Sequence, residues 1–145
     1  MDGKLLNWLP QRSLGIQRVE LVVTSDDLSV EQISSTLGSP PDYSLEKGAI
    51  RDGAVVRKPA LKTSWKMREE GSGTVSLSDA LGRLFERVAG IRENLVEAGN
   101  IGCVIMISVV QYVSEQSDLG FSVSADNLQL LADIGAFIDV DQYID

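Results

Sequence analysis

The spacing of apolar side chains divides the chain into stretches of period two and stretches of helical period. From Gly15 to Thr24, Gln17, Val19, Leu21 and Val23 fall on one side and Arg18 and Glu20 on the other. This is the pattern of a half-buried antiparallel strand. Leu61 to Arg68 alternates in the same way, with Leu61, Thr63, Trp65 and Met67 opposite Lys62, Ser64, Lys66 and Arg68, which predicts a strand with one dry and one wet face. Ile101 to Tyr112 is β-branched and almost continuously apolar, as expected of a central strand buried on both faces. Gly120 to Val123 reads as a shorter strand. Phe137 to Ile144 reads as the last, with Ile138 and Val140 facing in and Asp139 and Asp141 facing out.

Helical spacing appears three times, each behind a serine. Ser29 with Gln32 three residues on is a capping-box pattern, and Val30, Ile33 and Leu37 follow at i, i+3 and i+7. Gly38 ends that helix by taking the left-handed conformation, and Pro40-Pro41 forbid its continuation. Ser76 with Asp79 opens a second helix that runs to about Ala98, where Gly99 stops it. Its stripe is Leu77, Leu81, Leu84, Phe85, Val88, Leu95 and Val96, and Gly90 is its weak point. Ser124 caps a third, whose Leu128, Leu131 and Ile134 point inward and which Gly135 ends. Asp42 to Ala60 is a long connection with a short strand at Ala54 to Arg57. The expected fold is α+β: a single, mostly antiparallel sheet of about four to five strands, with helices packed on one face, including one long central helix. Residues 1–14 read as an N-terminal extension and 15–145 as the domain.

Length and composition narrow the function. At 145 residues the chain fits one domain. The longest apolar run, Cys103 to Val110, is interrupted by Ser108 and is far short of the roughly 20 residues that span a bilayer. Met1 to Pro10 has neither the length nor the basic start of a signal peptide. A cytoplasmic location with no membrane partner is the expectation. With one cysteine and no histidine, an internal disulfide, a cysteine-based zinc site and every histidine-dependent triad are excluded. Cys103 lies in the apolar run and reads as a small buried hydrophobe. The net charge of −8 repels a phosphate backbone, so nucleic acid is not expected, whereas a basic protein would be attracted.

Three clusters invite a sharper reading. Gly71-Ser72-Gly73-Thr74 precedes a helix, as phosphate-cradling loops do, but it lacks the Gly-Lys-Ser/Thr ending and follows Glu69-Glu70; a linker is the better reading. Asp139 and Asp141, with Asp145 and Asp133, could gather round a cation, since positions two apart on a strand share a face. Any solvent-facing strand alternates in that way, so no metal, cofactor or catalytic residue is assigned. Lys62, Lys66 and Arg68, with Arg57 and Lys58 nearby, form a basic patch. It could hold an anionic ligand, or meet acidic groups of the same fold or of a second copy. Trp65, on the other face of that strand, reads as core.

The chain resembles the bacterial family called domain of unknown function 4279. The residues that carry the resemblance are Leu28-Ser29-Val30-Glu31-Gln32-Ile33 with Leu37-Gly38 and Pro41, then Lys47-Gly48 and Trp65. The run Gly120-Phe121-Ser122-Val123-Ser124, Leu128, Leu131-Ala132, Gly135-Ala136 and Ile138 to Tyr143 completes it. The resemblance covers roughly Gly15 to Tyr143, with Ser72 to Gln116 matched by element order alone. It implies a bacterial cytoplasmic protein, and it carries over no catalytic residue.

The expected function is a non-catalytic protein-binding or regulatory domain, of immunity or inhibitor type, that meets a basic protein through Asp139, Asp141, Tyr143 and Lys47. One alternative is a small enzyme using carboxylates such as Asp139 and Asp141 with Lys47 or a metal. The other is a self-associating structural domain that uses the basic patch.

Overall fold

The fold, taken from a computed structural model, is described for residues 17–53, 55, 57–71, 76–113 and 120–144. Those residues form five strands, β1 Gln17–Ser25, β2 Tyr43–Leu45, β3 Thr63–Gly71, β4 Val104–Val113 and β5 Phe137–Ile144. The helices are α1 Val30–Leu37, α2 Leu77–Gly90, α3 Arg92–Asn100 and α4 Ala125–Asp133. The strands make one mixed sheet in the order β2-β3-β1-β4-β5. Every pairing is antiparallel except β4 with β5. The α+β class and the mostly antiparallel sheet agree with the sequence pattern.

The serine caps are all present. Ser29 accepts from the Gln32 N–H while the Gln32 side chain accepts from the Ser29 N–H, a complete capping box. Ser76 and Ser124 accept from the N–H groups of Asp79 and Asn127. Each satisfies an amide that has no partner within its helix. Gly38 takes φ 68 and Gly135 φ 69.

One core lies on one side of the sheet. Val19, Leu21 and Val23 of β1, Trp65 and Met67 of β3, and Ile105, Ile107 and Val109 of β4 all project to it. There they meet Ile33 and Leu37 of α1, Leu84, Phe85 and Val88 of α2, Leu95 of α3, and Leu131 of α4. Trp65 is fully buried.

Several expectations need correction. The single long helix is two: α2 ends at Gly90, and Ile91, at φ −121 and ψ 24, caps both α2 and α3. The Ile91 N–H turns back to the Val88 carbonyl at 3.1 Å, a tightened last turn where Gly90 already weakens the helix. Gly99 does not stop α3, which runs on through Asn100; the left-handed turn is at Gly102, φ 96. Ile101 and Gly102 are therefore turn residues. The middle strand of the five is β1, and β4 lies beside it. Val104 is 46% exposed, so β4 is not covered along its whole second face. Gly120 to Val123 has no strand.

Leu128 is exposed because α4 buries Leu130, Leu131 and Ile134, and Leu128 sits about 120° round the helix from the middle of that stripe. Leu61 is exposed because β3 begins only at Thr63. Val140 is exposed because β5 is an edge strand. The short β2 falls in the stretch read as irregular. Of the strand expected at Ala54 to Arg57, residues 54 and 56 lie outside the described residues, as do residues 1–14.

Candidate functional site

The face of the sheet away from the core carries charge at both ends. Its side chains are the even-numbered positions of β1, β3 and β4, brought into rows by the register. Glu20 stands opposite Arg68 and Ser108, and Ser108 stands opposite Asp139. Arg18 stands opposite Glu70 and Val110, and Val110 stands opposite Asp141. Each row therefore pairs an arginine with a glutamate across β3 and β1 and ends on an aspartate of β5.

At the β5 end, Asp139, Asp141 and Tyr143 alternate along an exposed strand and share this face. Tyr143 stacks on Tyr112 of β4, with ring centroids 5.0 Å apart and planes at 22°. That contact and the β4 ladder hold the strand in place. Among the described residues β5 pairs only with β4, so its outer backbone edge has no strand beside it.

At the other end, Arg68 is tied into the fold. Its Nε lies 2.9 Å from Glu20 Oε2, its Nη1 3.7 Å from Glu70, and its guanidinium carbon 3.6 Å above the Tyr43 ring. Glu20 is only 3% exposed, so a buried carboxylate keeps the partner that such a charge requires. The Arg68 backbone N–H donates to Asp42 Oδ2 at 2.9 Å. That bond is the largest influence on the Asp42 carboxyl; burial pushes the carboxyl up, and Arg87 at 3.0 Å adds a further downward pull, so it stays below its usual range. Lys66 is half-buried on the same face, and Lys62 is exposed just before β3. Of the expected basic patch, then, Arg68 is internally paired, while Lys62 and Lys66 make no ion pair among the described residues.

Lys47 does not join the β5 acids. Its Nζ donates to the Asp26 carbonyl at 3.1 Å, and its N–H donates to Thr63 Oγ1 at 3.1 Å. It follows β2, which is the opposite edge of the sheet from β5, and four strand spacings amount to about 19 Å. Asp133 is engaged elsewhere, by Arg92 and by Gln129, and Asp145 lies outside the described residues. Among the described residues no group of three or more acidic or cysteine side chains is placed to hold a metal ion. Cys103 is buried, and burial pushes its thiol up, the opposite of an activated thiolate. Gly71 ends β3, while Ser72, Gly73 and Thr74 lie outside the described residues.

Sequence reasoning did not single out Arg18 or Arg51. Both border a hollow beside Lys66 and Arg68 on this face. Arg18 was legible as an outward residue of β1, but its nearness to β3 depends on strand register. Arg51 comes from the loop after β2.

The family model described as Domain of unknown function (DUF4279) matches residues 15–145. The chain belongs to that family. No curated protein and no solved structure matches this DUF4279 chain. The matched span takes in all five strands and all four helices described above. Among the described residues no helix is long and apolar enough to cross a membrane.

Proposed function

We propose that this DUF4279 chain is a non-catalytic recognition domain that takes a basic, extended segment of a partner protein along β5. One observation carries the reading: an eight-residue edge strand, paired on one side only among the described residues, presents Asp139, Asp141 and Tyr143 on one face. An unpaired edge offers a row of backbone donors and acceptors to an added strand. The acids then choose the strand. Lys or Arg at alternate positions of the partner would stand beside Asp139 and Asp141, whereas an in-register second copy would set acid against acid. A domain that occupies a basic partner in this way suits an immunity or inhibitor role in a bacterial cytoplasm, and that setting is part of the proposal.

The carboxylate-enzyme reading has less support, because Lys47 stands at the far edge of the sheet with its amine held on Asp26. Self-association through the basic patch also has less, because Arg68 is engaged within the fold.

The test is an amide-shift titration with an extended peptide carrying lysine at alternate positions. Shifts concentrated on β5 and β4, reduced by Asp139→Asn with Asp141→Asn, are expected. Shifts confined to other strands, or no response to the double substitution, would sink the reading.

A further inference from the structure

A hollow of about 480 Å³ opens on the charged face between β1, β3, β2 and the loop that follows β2. It is within the size range of small-molecule sites. Four cations line it: Arg18, Arg51, Lys66 and Arg68. Among the described residues Asp52 is the one acid in that lining, and Glu20 and Glu70 reach Arg68 from beside it. With Asp42 also acting on Arg68, the carboxylates match the cations in number, but all except Asp52 are gathered at Arg18 and Arg68.

Two further features distinguish the cations of the lining. The Nε of Arg18 is buried and has no hydrogen-bond partner among the described residues. Its nearest acid oxygen is Glu20 Oε1 at 3.6 Å, too long for a hydrogen bond, and the other Glu20 oxygen is taken by Arg68. An oxyanion in the open hollow would meet the accessible part of the Arg18 side chain, which is 35% exposed, and not that Nε. Arg51 and Lys66, in turn, make no ion pair among the described residues. Two guanidinium forks and an ammonium, with Ser64 on the same face, form a donor set matched to a planar or tetrahedral oxyanion.

We infer that this hollow binds a small oxyanion, a phosphate or carboxylate group, at a site separate from β5. The net charge of the chain does not oppose this. Charges further away than about 8 Å are largely screened at physiological ionic strength, so a small anion responds to the cations and carboxylates of the hollow itself and not to the acids of the chain as a whole. A long polyanion would also meet the acids of β5 in the same rows of the sheet, which disfavours it.

The experiment is a pair of amide-shift titrations at pH 7 and fixed total ionic strength, one with inorganic phosphate and one with citrate, with sodium chloride as the reference. Saturable shifts at Arg18, Tyr43, Ser64 and Lys66 are expected in at least one of them, and which one responds identifies the group. Lys66→Gln with Arg51→Gln, which disturbs no ion pair among the described residues, should weaken that binding at least tenfold. Asp139→Asn with Asp141→Asn should leave it within twofold, so this site and the β5 reading can fail independently. Shifts no larger than those in chloride, shifts that do not saturate, or unaltered binding in the Lys66/Arg51 variant would overturn the assignment.

Discussion

Asn94 donates its side-chain amide to the carbonyl oxygen of Leu37 at 2.9 Å, joining α3 to the last residue of α1. The carbonyl it caps is one that α1 cannot satisfy internally. Next to it, Gly38 takes φ 68, and a Cβ there would sit 3.3 Å from Asn94 Nδ2.

Gly38→Ala should therefore be costly twice over, by about 1–2 kcal/mol for the left-handed backbone and by displacement of the Asn94 amide. Asn94→Ala should cost about 1 kcal/mol. The two changes should be less than additive, because both remove the same bond. Urea melts of the single and double variants test this, and full additivity would refute it.

Trp65→Ala should destabilise by roughly 3–5 kcal/mol, as removal of a large buried aromatic does. Trp65→Phe offers a finer test. The Trp65 Nε1 is buried with no hydrogen-bond partner, so phenylalanine removes an unsatisfied donor along with some volume. Its cost should stay below about 2 kcal/mol. A loss as large as that of alanine would mean that the indole N–H has an acceptor.

Asp42 gives a prediction in pH. Its folded carboxyl is held below the ordinary value of 3.8 by the Arg68 N–H and by Arg87. The stabilisation it provides is fully present above the unfolded value, and it is lost as pH falls through the folded one. Asp42→Asn should thus be less stable than wild type at pH 7, and the difference should shrink as acid is added below about pH 4. Because the Asp42 side chain is 40% exposed, solvent screening limits the effect to no more than about 1 kcal/mol. A gap that stays constant from pH 7 to pH 3 would contradict it.

The recognition reading predicts a separation of stability from binding. Asp139→Asn with Asp141→Asn should leave stability within about 0.5 kcal/mol of wild type, since both residues are exposed. The same pair should slow association with a basic segment and flatten its salt dependence. Stopped-flow association rates across a salt series measure this. Rates indifferent to salt would remove the electrostatic part of the proposal.

These predictions draw on positions that differ in how far the sequence discloses them. Ser29, Ser76 and Ser124 were legible because a cap acts through residues three apart, and the alternation around Trp65 gave its face directly. The break at Ile91 was not legible. The stripe of α2 continues into Leu95, and only the non-helical backbone of Ile91 shows that the helix breaks there. The outward positions of β5 were readable as Asp139 and Asp141. The basic hollow was not, because Arg18, Arg51 and Lys66 come from three segments that meet only through register. Lys47 went the other way: its place in the chain says nothing of the sheet edge to which it belongs.

The parallel pairing of β5 with β4 also bears on how the chain reaches its fold. Two parallel neighbours cannot be closed by a tight turn, and here the connection between them contains α4. The other three pairings join antiparallel strands, although β1 meets β3 and β4 across long stretches of sequence. Pairing β5 with β4 closes a loop that contains α4, whose Leu130 and Leu131, with Ile134 at its C-cap, pack in the core, so loop-closure entropy must be met before that burial rewards it. Substitutions in α4 should thus govern the rate at which β5 docks. Until it docks, the free border of the sheet is β4, whose Val104, Ile105, Met106 and Ile107 make a far stickier edge than the acids that eventually cover it.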